Sequence, residues 1–149
     1  MMITHVRGFI EYEDTRNVAH YHKGVDLAGM INFLAVTVGL HGFYEEEKSR
    51  STLTKFLPSA PRGLPRNLSL RGREIRATWS SDGYSSSWLT LEELYILMAW
   101  SAAIFVEGSA TTAVGACALI FKTVVSEVAK ISESGIGVPR LVYWFETED

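Results

Sequence analysis

A sharply specified helix start is the feature that most constrains how this 149-residue chain can fold. Thr90 and Glu93 have the spacing of a capping box, in which the threonine hydroxyl accepts from the Glu93 amide and the Glu93 carboxylate accepts from the Thr90 amide. Leu89 and Leu94 stand at the two positions of a hydrophobic staple, which sets the direction of chain entry. The pattern predicts a helix after Thr90 and, before it, a polar loop over residues 82–89 in a fixed orientation.

The composition indicates one domain and argues against a nucleic-acid duplex as partner. Hydrophobic residues make up 47% of the chain, which is enough for a single core at this length. The net charge is −3, whereas duplex-binding proteins usually have an excess of basic residues. A local arginine group in the middle of the chain could still meet a small anion. Its members are Arg62, Arg66, Arg71, Arg73 and Arg76.

The single cysteine and the first residues predict a cytoplasmic location. Cys117 lies in an apolar, helical pattern that favours a buried, inert thiol, and it has no second cysteine for an intramolecular disulfide. The N-terminus lacks the positive region followed by an apolar region that is typical of a secretory signal. We therefore expect a reducing compartment.

Periodicity predicts an α+β fold. Residues 3–13 alternate as a strand, and residues 18–22 are its hairpin partner after a turn at 14–17. Asp26 is expected to cap a helix over 27–40. The remaining predicted elements are a long loop over 41–66, a short helix within 67–79, helices over 91–106 and 111–133, and a closing strand over 139–146. We expect a small antiparallel sheet of the N- and C-terminal strands, packed against three or four helices in a single domain.

The apolar stretch over residues 94–125 predicts an interface between copies of the chain, or an ordinary core, rather than a membrane span. Its uninterrupted segments are shorter than the roughly 20 residues that a spanning helix needs, and Glu107 and Lys122 interrupt it. Alanines and glycines between residues 102 and 118 permit close helix approach. A homo-oligomer without a membrane partner is therefore expected.

No catalytic or metal-binding motif stands out. His20 and His22 fall on one face of a strand, but no second cysteine or His-Glu-x-x-His pattern accompanies them. The nucleophile elbow and the glycine-rich phosphate loops are also missing. We therefore expect no catalytic residue, no metal and no cofactor.

The polar groups that remain favour a nucleotide-like ligand. Guanidinium groups suit phosphate oxygens, and flat rings suit bases. Two prolines around Gly63 would present Arg62 rigidly. The predicted binding residues are Arg7, Arg62, Gly63, Tyr84, Ser85, Ser86, Ser87 and Trp88. Two structural alternatives remain open: core packing for Trp88 and a purely capping role for the serine-rich stretch.

Four segments resemble a family of small bacteriophage proteins: residues 5–12, 61–65, 82–94 and 139–146. The most specific match is Pro-Arg-Gly-Leu-Pro followed by the family's Asp-x-His-Ser-x-Ser-Trp-Leu-Thr-Leu-Glu-Glu-Leu. Arg7 and Tyr84 stand where the family has histidines. The resemblance therefore implies binding rather than catalysis for this chain.

By analogy with small phage proteins, the resemblance implies a counter-defence protein that sequesters a nucleotide-derived immune signal without cleaving it. The signal would be of the cyclic nucleotide or cyclic ADP-ribose type. One alternative is an enzyme that degrades such a signal, with His20, His22 or Glu11 as acid or base. Another is an inhibitor that covers a host protein with its apolar helices.

Overall fold

A computed structural model describes residues 3–39, 55–79, 82–104 and 112–148 and shows a four-stranded antiparallel sheet. The strands are β1 (Ile3–Glu13), β2 (Ala19–Asp26), β3 (Tyr84–Thr90) and β4 (Val138–Glu148), in the spatial order β2-β1-β4-β3. The N- and C-terminal strands pair along their whole length at the centre of the sheet. Their predicted pairing and the α+β fold are confirmed.

Helices cover both faces of this sheet. In the described residues they are α1 (Ile31–Val36), α2 (Leu70–Trp79), α3 (Leu91–Ile104) and α4 (Thr112–Ser134). The larger core lies between the sheet and α1, α3 and α4, on what we call the helix-pair face. The smaller core lies under α2 and the chain that leads into it, on what we call the α2 face.

The central strands bury side chains on both faces. In β1, Val6 and Ile10 join the core of the helix-pair face, whereas Phe9 joins the core of the α2 face. The five residues from Leu141 to Phe145 in β4 are each no more than 1% exposed. A near-continuous apolar run is typical of a strand that is covered on both sides, as predicted for β4.

The predicted capping box opens α3. The Glu93 amide donates to Thr90 Oγ1 at 3.2 Å, and the Thr90 amide donates to Glu93 Oε1 at 3.0 Å. Leu89 and Leu94 are fully buried in the core. The helix start is therefore confirmed, while the predicted break at residues 107–109 lies outside the described residues.

The predicted loop over residues 82–89 is wrong for most of its length, because Tyr84–Thr90 is strand β3. β3 pairs with β4, and its register shifts between Tyr84 and Ser87, where Ser85 takes a positive φ of 53°. Its pairing partners lie 50 or more residues away along the chain. Local patterning alone does not reveal such a partner.

The predicted helix over residues 27–40 is wrong in extent. Asp26 Oδ1 accepts from the Ala28 amide at 3.0 Å, and a 3₁₀ turn over Ala28–Met30 follows. Only Ile31–Val36 is α-helical, and Gly39 takes a positive φ of 71°. The tighter 3₁₀ geometry that precedes α1 shortens the regular helix.

Part of the predicted loop over 41–66 lies outside the described residues, as does the side chain of Cys117. Within the described part of the chain, no helix is both long enough and apolar enough to cross a membrane.

Candidate functional site

The two segments that carry most of the predicted binding residues meet at the free edge of β3. The Gly63 amide donates to the Ser86 carbonyl at 2.9 Å, and the Arg62 amide donates to Ser87 Oγ at 3.1 Å. The 61–65 segment thus runs along an edge strand. Prolines are tolerated at a sheet edge because the N–H group that they lack is not required there for a hydrogen bond to another strand. Its backbone covers polar groups that would otherwise offer a template for another chain.

The guanidinium of Arg62 already binds a carboxylate of the chain. It engages Glu93 through both terminal nitrogens, at 2.7 Å for Nη1 and Oε1. Nη1 also donates to the Trp88 carbonyl at 3.0 Å, and the Arg62 Cζ lies 4.4 Å from the centroid of the Trp88 ring. Burial alone would raise the pKa of Glu93, but hydrogen bonds from Arg62 and Thr90 outweigh it and hold that pKa below 4.5.

The serines and rings of β3 also contact other parts of the chain. Ser87 is fully buried and hydrogen-bonds with the Tyr143 hydroxyl, which also contacts Thr37. Burial raises the pKa of Tyr143 to about 12. The Tyr84 hydroxyl lies 2.8 Å from Thr147 Oγ1.

Three further predicted residues lie nearby. Arg76 Nη2 lies 3.5 Å from Ser86 Oγ, and Trp88 packs against the core of the α2 face. Ser85 is the positive-φ residue of the irregular start of β3. The structure therefore brings Arg62 and Gly63 together with Ser86, Ser87 and Trp88. Tyr84 packs against the core of the helix-pair face instead. The ligand role of all the predicted residues stays a prediction.

Arg7 lines a separate cavity of about 450 Å³, which we call the β1–β2 cavity because it lies toward the β2 edge of the sheet, opposite β3. The fully buried Phe9 and the almost fully buried Trp144 form its floor, with their ring centroids 6.0 Å apart. The half-buried side chains of Tyr21 and Ile75 contribute to its walls. Its volume falls in the range of roughly 300–1,000 Å³ that is usual for small-molecule sites.

Charged side chains stand around this apolar floor. Arg71, on the first turn of α2, is 63% exposed and pairs with Glu74 at 3.1 Å. Arg7 is 45% exposed and pairs with Glu146. Asp26 closes β2 opposite Arg7. Exposed ion pairs contribute roughly 0–1 kcal/mol, so an anion can compete for Arg71 at little cost.

The floor also carries a polar group without a partner. The indole Nε1 of Trp144 is buried and has no hydrogen-bond acceptor among the described residues. A buried donor left unpaired costs roughly 1–3 kcal/mol.

The histidines proposed as acid or base are engaged at the surface. His20 Nε2 lies 2.7 Å from Asp14 Oδ2, and His22 Nε2 lies 3.6 Å from Glu127 Oε2. The register of β1 and β2 shifts between the pairs Ile10–Lys23 and Glu11–Tyr21, so His22 is an extra residue in β2. In the described parts of the chain, no three His, Cys, Asp or Glu side chains converge to hold a metal ion.

Sequence reasoning missed Tyr21, Asp26 and Arg71 as cavity residues. Arg71 belongs to the arginine group that the sequence marked for a small anion, and Asp26 was assigned only a capping role. Their proximity depends on α2 packing across the strands of the hairpin. The only available signal was the arginine spacing on α2.

No protein-family model, no curated protein and no solved structure matches the chain at a significant level. Membership in the bacteriophage family therefore stays a prediction. The chemistry and geometry of the described residues are what bear on function.

Proposed function

We propose that this protein binds and sequesters a nucleotide-derived signal in the β1–β2 cavity without cleaving it. The observation that carries the proposal is the composition of that cavity, in which an aromatic floor is bordered by two guanidinium groups, those of Arg7 and Arg71. A base needs a flat apolar surface, and a phosphate needs cations. A nucleotide combines the two requirements in one molecule.

The described lining supports holding rather than turnover. Its only carboxylate is that of Asp26, and it contains no histidine and no cysteine. Cleavage of a phosphodiester by general acid–base catalysis needs a donor and an acceptor of protons near the scissile bond. The described lining supplies neither a histidine nor a second carboxylate for this exchange, which favours sequestration.

The biological part of the proposal rests on the motif resemblance. We infer a bacteriophage counter-defence protein that acts in the host cytoplasm, as a homo-oligomer, on a cyclic nucleotide or cyclic ADP-ribose type of signal. The supporting segments are residues 5–12, 61–65, 82–94 and 139–146.

The decisive experiment recovers the ligand after binding. The purified protein is incubated with cyclic dinucleotides and cyclic ADP-ribose isomers, freed of unbound ligand and heated, and the released material is chromatographed. Intact ligand is the expected result. Altered ligand would favour the degrading enzyme, and the absence of binding together with a stable complex in a host pulldown would favour the protein inhibitor.

Replacement of Arg71 tests the location of the site. Arg71→Ala should weaken binding of the retained nucleotide by about 1.5–3 kcal/mol, which is usual for a hydrogen bond to a charged group. Arg73→Ala removes the same charge from an exposed position of α2 outside the described lining and serves as the matched control. Isothermal titration calorimetry measures both, and equal dissociation constants for the two variants would remove Arg71 from the site.

A further inference from the structure

We propose that the β1–β2 cavity selects a guanine base and that the carboxylate of Asp26 recognises this base by accepting its hydrogen bonds. This inference rests on the proposed function and narrows its ligand to guanine-containing nucleotides, which excludes the cyclic ADP-ribose type because its base is adenine. Among the described side chains of the lining, Asp26 is the one that can only accept hydrogen bonds when ionised, because arginine and tryptophan only donate and tyrosine does both.

The turn after β2 holds the Asp26 carboxylate in place. Asp26 Oδ1 accepts from the Ala28 amide at 3.0 Å, and this bond begins the 3₁₀ turn over Ala28–Met30. The residue itself is exposed and lines the cavity. Each carboxylate oxygen can accept two hydrogen bonds. The group therefore has acceptor capacity for a ligand while it supports the turn.

The shape of the strand leaves room for a ring beside this carboxylate. Gly24 lies two residues before Asp26 and so on the same face of β2. A methyl group added at Gly24 would meet only the Tyr21 hydroxyl, at 3.4 Å. The strand surface between Tyr21 and Asp26 is thus open, and a planar base can lie on it with its edge toward the carboxylate.

Guanine is the base whose edge matches a carboxylate. Its N1–H and N2–H₂ groups are adjacent donors that can meet two carboxylate oxygens side by side. Adenine and cytosine each present an amino donor next to a ring acceptor, and uracil presents one N–H between two carbonyls. A ring acceptor facing Asp26 would be repelled. Good paired contacts of this kind discriminate between bases by roughly ten-fold to a hundred-fold.

The test compares GMP, IMP and AMP by isothermal titration calorimetry. The wild-type protein should bind GMP about ten-fold to a hundred-fold more tightly than AMP. IMP keeps N1–H but lacks the amino group, so its affinity should fall between them.

Asp26→Asn supplies the discriminating variant because the amide oxygen can still accept from Ala28 and preserve the turn. The amide would face the guanine donors with a donor of its own, so GMP affinity should fall about ten-fold or more while AMP affinity does not fall. Asp82→Asn is the matched control, since Asp82 is exposed and outside the described lining. Its GMP affinity should equal that of the wild type.

The possible failures are distinguishable. If AMP binds the wild-type protein as tightly as GMP, or if Asp26→Asn leaves the preference for GMP unchanged, the guanine inference is overturned and nucleotide binding stands. If none of the three mononucleotides binds, the guanine inference is overturned. The proposed function is decided separately, by the recovery experiment with cyclic dinucleotides and cyclic ADP-ribose isomers.

Discussion

At the scale of single residues, Arg62 joins its own segment to the end of β3 and the start of α3, which lie 25 to 31 residues farther along the chain. Its guanidinium binds the Glu93 carboxylate at the start of α3, donates to the carbonyl of Trp88 and lies over the Trp88 ring. Its amide donates to Ser87 on the edge strand. These contacts account for the two prolines that flank the Arg62–Gly63 pair, because a rigid backbone lowers the entropy cost of holding the arginine there.

Arg62→Ala should lower the free energy of unfolding at pH 7 by about 1.5–3 kcal/mol, because it removes charge-assisted hydrogen bonds to a mostly buried carboxylate. The loss should depend on pH. The pKa of Glu93 is lowered in the folded protein, so its ionised form stabilises the fold above pH 4.5 and this stability disappears as the pH falls through the folded pKa.

Urea unfolding of the wild type and Arg62→Ala at a series of pH values measures this difference. The two proteins should converge in stability at acidic pH. Equal stabilities at pH 7, together with a weaker nucleotide affinity of the variant, would instead support the predicted ligand role of Arg62.

At the scale of elements, close packing of α2 on the sheet explains a glycine inside the helix that helix propensity alone would disfavour. Gly72 lies inside the helix, where glycine costs roughly 1 kcal/mol relative to alanine. A Cβ at this position would lie 2.6 Å from Cζ of Phe9 and 2.8 Å from Oγ of Ser69. Phe9 is fully buried and cannot move aside without disturbing the floor of the β1–β2 cavity.

Gly72→Ala should therefore destabilise the protein, by about 1–3 kcal/mol, although propensity alone predicts the opposite sign. Arg73→Ala, one residue along the same helix and exposed, should change the stability by less than about 0.5 kcal/mol. Thermal unfolding followed by circular dichroism compares the two. A higher midpoint for Gly72→Ala than for the wild type would show that α2 does not press on Phe9.

At the scale of the whole molecule, a buried ionic network fastens the α2 layer to the centre of the sheet. Glu11 is fully buried and accepts from Arg140 Nε at 2.7 Å and from the Ser69 amide at 3.2 Å. Arg140 Nη2 donates to Asn67 Oδ1 at 3.0 Å, and Asn67 Nδ2 donates to Glu13 Oε2 at 2.7 Å. The network thus connects β1, β4 and the chain that leads into α2.

Removal of one partner from a buried ion pair leaves an uncompensated charge, which costs roughly 3–5 kcal/mol. Glu11→Leu should destabilise the protein by about that amount in urea unfolding. Glu13→Gln is the control, because Glu13 is 33% exposed and lies 3.7 Å from Arg140, and it should cost less than about 1 kcal/mol.

Replacement of both partners, Glu11→Leu with Arg140→Met, should cost clearly less than the sum of the two single changes. Additive losses would mean that the two side chains do not stabilise each other across the strands.

The local sequence determined the elements whose signals are contained within a few residues. The alternation in β1, the apolar run in β4 and the Thr90–Glu93 box each depend on neighbours along the chain, and each lies where it was predicted.

Tertiary structure decided the rest. β3 is a strand because its backbone forms hydrogen bonds with β4. Arg62 binds the Glu93 carboxylate because the 61–65 segment lies along the β3 edge. The β1–β2 cavity exists only because α2 lies over the hairpin and brings Arg71 to Tyr21 and Asp26. Such encounters depend on contacts between residues far apart in the chain, and no local pattern encodes them.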